Sequence, residues 1–531
     1  MKNIVCILLA LCILFALSAC GSTGQTAENK AAENSEPEKA EAFTAETAGM
    51  ETPPDFPGEP PSGDFPGSPP DGSGGPGSMP PGDPPEGFGG SGGTPPEKPD
   101  GNGGPGGTPP GGFGGGMPGG GPGGSSADID YSGAVEISSA DTQSGKTYAS
   151  TTADQSALLI STSDAVTITN PTVTKTGDSD GGDSCNFYGL NAAVLVKDGT
   201  TTTITGGTIT SDASGANGVF SYGGNGGRNG ADGDGTTLII RDTTIVTTGS
   251  GSGGIMTTGG GVTYAYDLDV TTSGQSSAAI RTDRGGGTVV VDGGTYTSNG
   301  QGSPAIYSTA DITVSNATLN STLAEGVCIE GKNSITLVDC DLTANNTKRN
   351  SNACFLDSIM IYQSMSGDAD SGTSSFTMTG GSLTSKSGHV FHVTNTNAII
   401  TLSGVTITNE DAENILLSVC ADGWSGAGNV AALTARAQKL EGAILVGSDS
   451  SLTLELAESS SFTGSIGGKI TNAKGETVST EVGSVSVTLD DSSTWTLTGD
   501  SYITSFSGSA SNVISNGYTL YVNGTALSGT R

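Results

Sequence analysis

The stretch from Thr236 to Asn409 carries one phrase that keeps returning: TLIIRDTTI at 237–245, VVVDGGTY at 289–296, ITVSNATL at 312–319, ITLVDCDL at 335–342, FTMTGGSL at 376–383 and ITLSGVTI at 400–407. Earlier copies are VTITNPTV at 166–173 and TTITGGTI at 202–209. Each has apolar residues in alternation, then a small or polar pair, then another apolar residue. The last two apolar positions are five apart in every copy, from Ile168 and Val173 to Leu402 and Ile407.

In one straight strand, residues an odd number apart point to opposite faces. Both members of each pair face one interior only if the chain turns a corner between them. Asp292–Gly293, Asn316–Ala317, Gly380–Gly381 and Ser403–Gly404 suit such a corner, because Gly, Asn and Asp tolerate tight backbone geometry. A strand, a corner and a second strand recurring every ~23–26 residues predict a coiled solenoid. Thr, Val and Ile dominate and helical periodicity is lacking, so the coil is expected to be built of strands. A third strand precedes each phrase: Ala193–Val196, Gly218–Phe220, Gly254–Met256, Ala278–Arg281, Ala305–Tyr307, Gly326–Ile329, Ile359–Tyr362, Val390–Val393 and Ile415–Leu417.

On these residues, roughly 130–470 resembles the right-handed parallel β-helix proteins of the pectate-lyase-like superfamily. The fold class this implies is all-β, a right-handed parallel β-helix of about ten or more coils. The expected organisation is a signal peptide at 1–19, lipidated Cys20 with a tether to 125, the β-helix over 126–470, and closing coils with a cap over 471–531.

The ends of the chain set the compartment. Lys2 followed by apolar Ile4–Leu17 reads as a secretory signal. Leu17-Ser18-Ala19-Cys20-Gly21 resembles the lipobox of bacterial lipoproteins, which implies cleavage before Cys20 and a diacylglycerol thioether on its sulfur. Acyl chains hold a protein on a membrane without a spanning helix, and no later stretch approaches the ~18 apolar residues a span needs. The expected location is thus the extracytoplasmic face of a bacterial membrane. Residues 21–125 hold all but two of the 24 Pro, mixed with Gly, Ser, Asp and Glu, and read as a disordered tether. The chain has 531 residues, 87 of them Gly, and a net charge of −34. That balance argues against nucleic acid as a partner and against electrostatic docking to anionic lipid. A monomer is expected.

Regularity breaks at four insertions: 178–189, 221–235, 344–358 and 363–375. Insertions in a solenoid loop outwards and often build the binding face. Asp178, Asp180 and Asp183 crowd the first, and Asp232 and Asp234 the second. Hard cations such as calcium take several oxygen ligands on flexible backbone, so calcium is the expected cofactor, with solvated turn acids as the alternative. Asp368 and Asp370 form a further acidic pair. Placing 178–189 and 221–235 at successive coils puts Phe220 between their acidic rims. Phe220, Tyr307 and Phe391 are candidates for stacking on the flat apolar faces of sugars, or for interior packing.

Arg281, Asp283 and Arg284 stand together in IRTDRGGG. In the resembled polysaccharide lyases an Arg removes the sugar proton while carboxylate-bound calcium neutralises the uronate. Arg281 is then the candidate base, with Asp267 and Asp269 one coil away; the alternative is an Arg paired with Asp283. His389 and His392 are three apart in HVFHV, which in a straight strand puts them on opposite faces. Cys185, Cys328, Cys340, Cys354 and Cys420 make neither a zinc motif nor a clear disulfide framework, and buried free thiols are expected.

The chain therefore reads as a lipid-anchored surface β-helix that binds glycan or another cell-surface polymer, in resemblance to β-helical calcium-containing carbohydrate-binding proteins of clostridia. A structural adhesin for protein partners and a calcium-dependent polysaccharide lyase are the alternatives.

Overall fold

The computed structural model describes residues 129–226 and 232–531. The expected signal peptide, Cys20 and the whole tether lie outside the described residues. Each turn of the chain visits three sheets in the same order. Sheet A starts with Ser132–Ile137, sheet B with Asp141–Ser144 and sheet C with Thr147–Ser150, and the chain then returns to A at Gln155–Ser161. Sheets A, B and C grow to 13, 14 and 10 strands, every neighbour parallel. This is a right-handed parallel β-helix, the hand that parallel crossover connections take. With strands ~4.8 Å apart, the 13 strands of sheet A span about 60 Å.

The repeated phrase forms sheets B and C as its spacing requires. In Thr237–Arg241 Leu238 and Ile240 face inwards, and Ile245 faces inwards from Thr244–Thr247. Between them Asp242 takes a left-handed backbone, φ 49°, and its N–H donates to the Tyr266 carbonyl of the next coil at 3.0 Å. Asn170, Asp267, Asn316 and Asp339 repeat that conformation, with φ between 49° and 54°. Inward side chains stack into one continuous core from Ile137 to Leu520, which no single coil could bury alone.

Sheet A is buried on both faces over much of its length, as in Val219–Tyr222, Ile255–Thr258 and Asp357–Tyr362. Strands buried on both faces lose the clean alternation of half-exposed ones. The chain also bends within this sheet. Ala279 and Ile280 both join the core, as do Val390 and Phe391. The residues flanking such a bend emerge on the same outer side.

Two departures from expectation occur. Helical periodicity is absent from the sequence, yet α1 (Asp183–Tyr188) forms one short helix inside the first acidic insertion. Beyond Asn409 sheet C gives way to a four-stranded sheet of Lys439–Glu441, Ser461–Gly464, Thr494–Leu497 and Val513–Ile514. Asn429–Arg436 is a strand. Parallel pairing persists past 470, and the final pair, Leu520–Val522 with Thr525–Ala526, is antiparallel. All five described cysteines are free thiols, and Cys354 is only half-buried.

Candidate functional site

The outer face of sheet A carries one row of side chains in register: Phe220, Met256, Arg281, Tyr307, Cys328, Met360, His392 and Ser418. The insertions cover both ends of this row and leave its middle open. At one end α1 lies over Phe220, whose ring is so close to Gly189 that a Cβ there would come within 2.9 Å of it. The α1 backbone is held by Thr258 Oγ1, which donates to the Phe187 carbonyl at 2.6 Å, and by Tyr131 Oη, which donates to the Tyr188 carbonyl at 2.8 Å. At the other end the Phe355 ring lies over His392, centroids 4.6 Å apart, and Ala353 and Trp424 pack beside Met360.

Between the covers opens a cleft of about 360 Å³. Arg281, Tyr307, Cys328 and Met360 floor it, α1 walls one side with Asp183, Asn186 and Phe187, and Asn350, Asn352, Ser364 and Trp424 line the other. Arg281 is held by three acceptors: Asp283 Oδ2 at 2.6 Å, the Ser276 carbonyl at 3.2 Å and Asn186 Oδ1 at 3.3 Å. Burial pushes the Asp283 carboxyl up to about 6, against the opposing pull of Arg281. Arg284 donates to Asp368 at 2.6 Å and lies over the Phe187 ring at 4.2 Å, so it ties the α1 wall to the segment at 364–369.

Glu330 is the polar centre of the cleft. It is buried, and four hydroxyls point at it. Tyr307 Oη and Tyr362 Oη donate to Oε2 at 2.5 and 3.0 Å. Ser364 Oγ and, at 3.4 Å, Ser366 Oγ donate to Oε1. Burial and then the Glu330 charge raise both tyrosine hydroxyls well above their ordinary range. The Tyr362 ring packs on Trp424, centroids 4.9 Å apart.

Beneath the far wall is a sealed polar knot. Ser418 Oγ lies 2.7 Å from His389 Nδ1 and 2.8 Å from His392 Nδ1, and His392 Nε2 lies 3.3 Å from Asp422 Oδ2. The two histidines thus share one side of the sheet. The straight-strand expectation of opposite faces fails because the chain bends between Val390 and Phe391. The knot has the residue types of a nucleophile, base and acid, but the His392 and Asp422 side chains are 0% exposed and the Phe355 ring covers His392 at 4.6 Å. No substrate reaches it. Its work is to fix the wall: Asp422 Oδ1 accepts from the Cys354 N–H at 2.7 Å and the Gly423 N–H at 2.6 Å. Burial opposes ionisation of Asp422, yet His392 and the Cys354 donor hold its carboxyl below the usual range. Burial and the neighbouring His392 pull His389 down to about 3.

Of the residues singled out by sequence, Asp183, Arg281, Asp283, Tyr307 and Asp368 meet in the cleft. Arg281 pairs with Asp283, as one reading had it, but inside the cleft and not on the open surface of the rod. Phe220 does not stand exposed between acidic rims, because α1 buries it. Phe391 faces the core, 5.8 Å from Phe376. Asp267 and Asp269 are exposed at the corner between sheets B and C, away from Arg281 on sheet A, because the phrase containing them belongs to the other two sides of the coil. Asp178, Asp180, Asp183, Asp232 and Asp234 are exposed. Asp178 accepts from the Ser214 N–H and Asp234 from Thr236. Among the described residues no group of three or more His, Cys, Asp or Glu side chains is placed to hold a metal ion.

Sequence reasoning missed Glu330, Tyr362 and Trp424. A faint signal existed for the first two: Glu330 stands two positions beyond Cys328 in its strand, hence on the same outer side, and pairs with Tyr362. Comparison with protein-family models, with curated proteins and with solved structures finds no match. No helix among the described residues is long and apolar enough to cross a membrane.

Proposed function

We propose that the cleft on sheet A binds carbohydrate, at the end of a tether anchored through Cys20. The observation that carries this reading is the composition of one concave surface. Tyr307, Tyr362 and Trp424 supply aromatic faces and edges, while Asn350, Asn352, Ser364 and Ser366 supply donors and acceptors at the rim. Sugars present the matching pair of features, an apolar ring face and a fringe of hydroxyls. The polymer-binding role read from the sequence thereby moves from the insertion at 178–189 to the middle of the rod. This reading does not require calcium; of the acids in that insertion, Asp178 accepts from the Ser214 backbone N–H. Melting with and without calcium tests that part separately.

The elimination chemistry of the lyase alternative is less well supported. A guanidinium that abstracts a proton must be free to lose one of its own, and Arg281 is fixed by three acceptors including a carboxyl. A glycan array read with wild type, Trp424→Ala and Tyr307→Phe tests the proposal. Binding that falls by about tenfold or more in Trp424→Ala supports it. Absence of any glycan binding by folded wild type overturns it and favours a protein-binding adhesin.

A further inference from the structure

The cleft holds more carboxyl groups than its own cations can pair. Five carboxyl side chains line it, those of Asp183, Asp283, Glu325, Glu330 and Asp368, against the single guanidinium of Arg281. Arg284 stands beside the lining. Both cations are consumed, Arg281 by Asp283 and Arg284 by Asp368, each at 2.6 Å. Among the described residues Asp183, Glu325 and Glu330 have no Lys or Arg partner. Glu330 is held by neutral hydroxyls alone, and the side-chain donor to Glu325 is the neutral Asn346 amide at 3.1 Å.

A second observation lies behind Glu325. Val327 pairs with Ile359, so Asp357, two residues before Ile359, follows Glu325 in the same row one coil on. Asp357 is 1% exposed, and neither of its carboxyl oxygens has a hydrogen-bond partner. Burial raises both carboxyls above their usual range, and the Glu325 and Asp422 charges raise Asp357 further. A buried carboxyl is held neutral by desolvation and ionises when a cation comes within a few ångströms. Glu325 and Glu330 flank Cys328 along the chain, and all three line the cleft together with Tyr307, Tyr362 and Trp424.

We propose that the ligand is an amino sugar, a glycan whose ring bears a protonated amine, with the ammonium seated over Cys328 between Glu325 and Glu330. An ammonium brings three donors and no acceptor, which suits carboxyl oxygens whose present donors are all neutral. The ring lies against Tyr307, Tyr362 and Trp424, and its hydroxyls meet the amides of Asn350 and Asn352. The same field disfavours a uronate, whose carboxylate would face three acids without a free cation. The chain's net charge of −34 adds a long-range bias of the same sign, and a cleft focuses it. This assignment rests on the carbohydrate reading above and narrows it.

The test is calorimetric titration of the full chain with four tetrasaccharides and one peptide, at mildly acidic pH and low salt. The probes are β-1,4-linked tetraglucosamine, its N-acetylated form, cellotetraose, tetragalacturonate and tetralysine. The assignment expects tetraglucosamine to bind at least about tenfold more tightly than the other four. That preference should shrink about tenfold in Glu330→Gln and in Glu325→Gln, and weaken with added salt. Asp183→Asn, on the exposed start of α1, keeps the test informative if the buried variants do not fold; it should lower tetraglucosamine affinity more than cellotetraose affinity, and an equal loss of both overturns the cation assignment. Equal or tighter binding of cellotetraose, the acetylated form or tetragalacturonate overturns the cation assignment and leaves the carbohydrate reading standing. Tetralysine binding as tightly as tetraglucosamine overturns the amino-sugar assignment in favour of charge alone. Failure of every glycan to bind overturns both.

Discussion

The corner between sheets B and C depends on single residues. Asn170, Asp242, Asp267, Asn316 and Asp339 hold the left-handed conformation in some coils, and Gly206, Gly293 and Gly380 hold it in others. Only Gly adopts this backbone without cost, with Asn and Asp the least penalised of the rest. The following position is tighter still. A Cβ on Gly381, φ 66°, would come within 2.1 Å of the Cys340 carbonyl, whereas one on Gly404, φ 62°, meets nothing within 4 Å. Gly404→Ala is therefore expected to cost about 1 kcal/mol, the conformational penalty alone. Gly381→Ala should cost distinctly more, about 3 kcal/mol, because backbone must also shift; denaturant midpoints of the two variants measure the difference. His389 supplies the second residue-level prediction. Its folded pKa of about 3 lies below the ordinary value of 6.5. The unfolded chain therefore binds the proton first, and stability present above pH 6.5 is lost as pH falls from there towards 3. The expected loss is roughly 1.4 kcal/mol per pH unit from this group. Asp283, raised to about 6, titrates with the opposite sign in part of that window. The measurement is thus the difference between wild type and His389→Gln, whose stability should fall less steeply between pH 6.5 and 5.

At the scale of elements, the covers over sheet A decide where a ligand fits. α1 is six residues long, DSCNFY, too short for an amphipathic period to show and too short to be stable alone. It exists because Phe187 and Tyr188 have somewhere to go. They pack with Leu195, Phe220, Tyr222 and Met256 on the outer face of sheet A, and Arg284 stacks on Phe187. The opposite wall has no secondary structure of its own and relies on Asp422. Asp422→Ala is expected to orphan the Cys354 and Gly423 N–H groups and leave His392 without its carboxylate. Stability should fall by about 3 kcal/mol or more. Glycan affinity should fall with it, because Trp424 and residues 350–353 lose their anchor. A variant that melts early yet keeps wild-type affinity would show that this wall does not shape the cleft.

At the scale of the whole molecule, parallel coils cannot bury a core singly, so stability is shared along the stack. The C-terminal end closes with the antiparallel pair of Leu520–Val522 and Thr525–Ala526, which breaks the parallel template that an open end would offer to another chain. The expected lipid anchor sets where this stack works. Cys20→Ser should abolish incorporation of labelled lipid and release the protein into the medium, read by fractionation. Retention of the unlabelled variant on the membrane would refute the anchor. Protease should trim residues 21–125 quickly and leave a β-rich core beginning near 126, read by mass and far-ultraviolet circular dichroism.

The fold was legible because a β-helix is a local code repeated. Apolar positions five apart with Gly, Asn or Asp between them, as in Ile204–Ile209 and Leu337–Leu342, already state which side chains face inwards and where the chain turns. The third strands were legible too, within a residue or two. The cleft was not. Its floor residues Arg281, Tyr307, Cys328 and Met360 stand about 21 to 32 positions apart in the chain and become neighbours only through the register of stacked coils. Whether an outward side chain on sheet A is exposed, like Tyr307 in part, or covered, like Phe220, depends on how an insertion folds back. Sequence spacing carries no information on that. The two histidines make the same point: three residues apart, they meet on Ser418 because one bend in the backbone resets the alternation. By itself the sequence determined the coil, its corners and its core, because those follow from nearest-neighbour geometry along the chain. Only the tertiary structure decided which side of the coil is open, because that depends on packing between segments that the sequence keeps far apart.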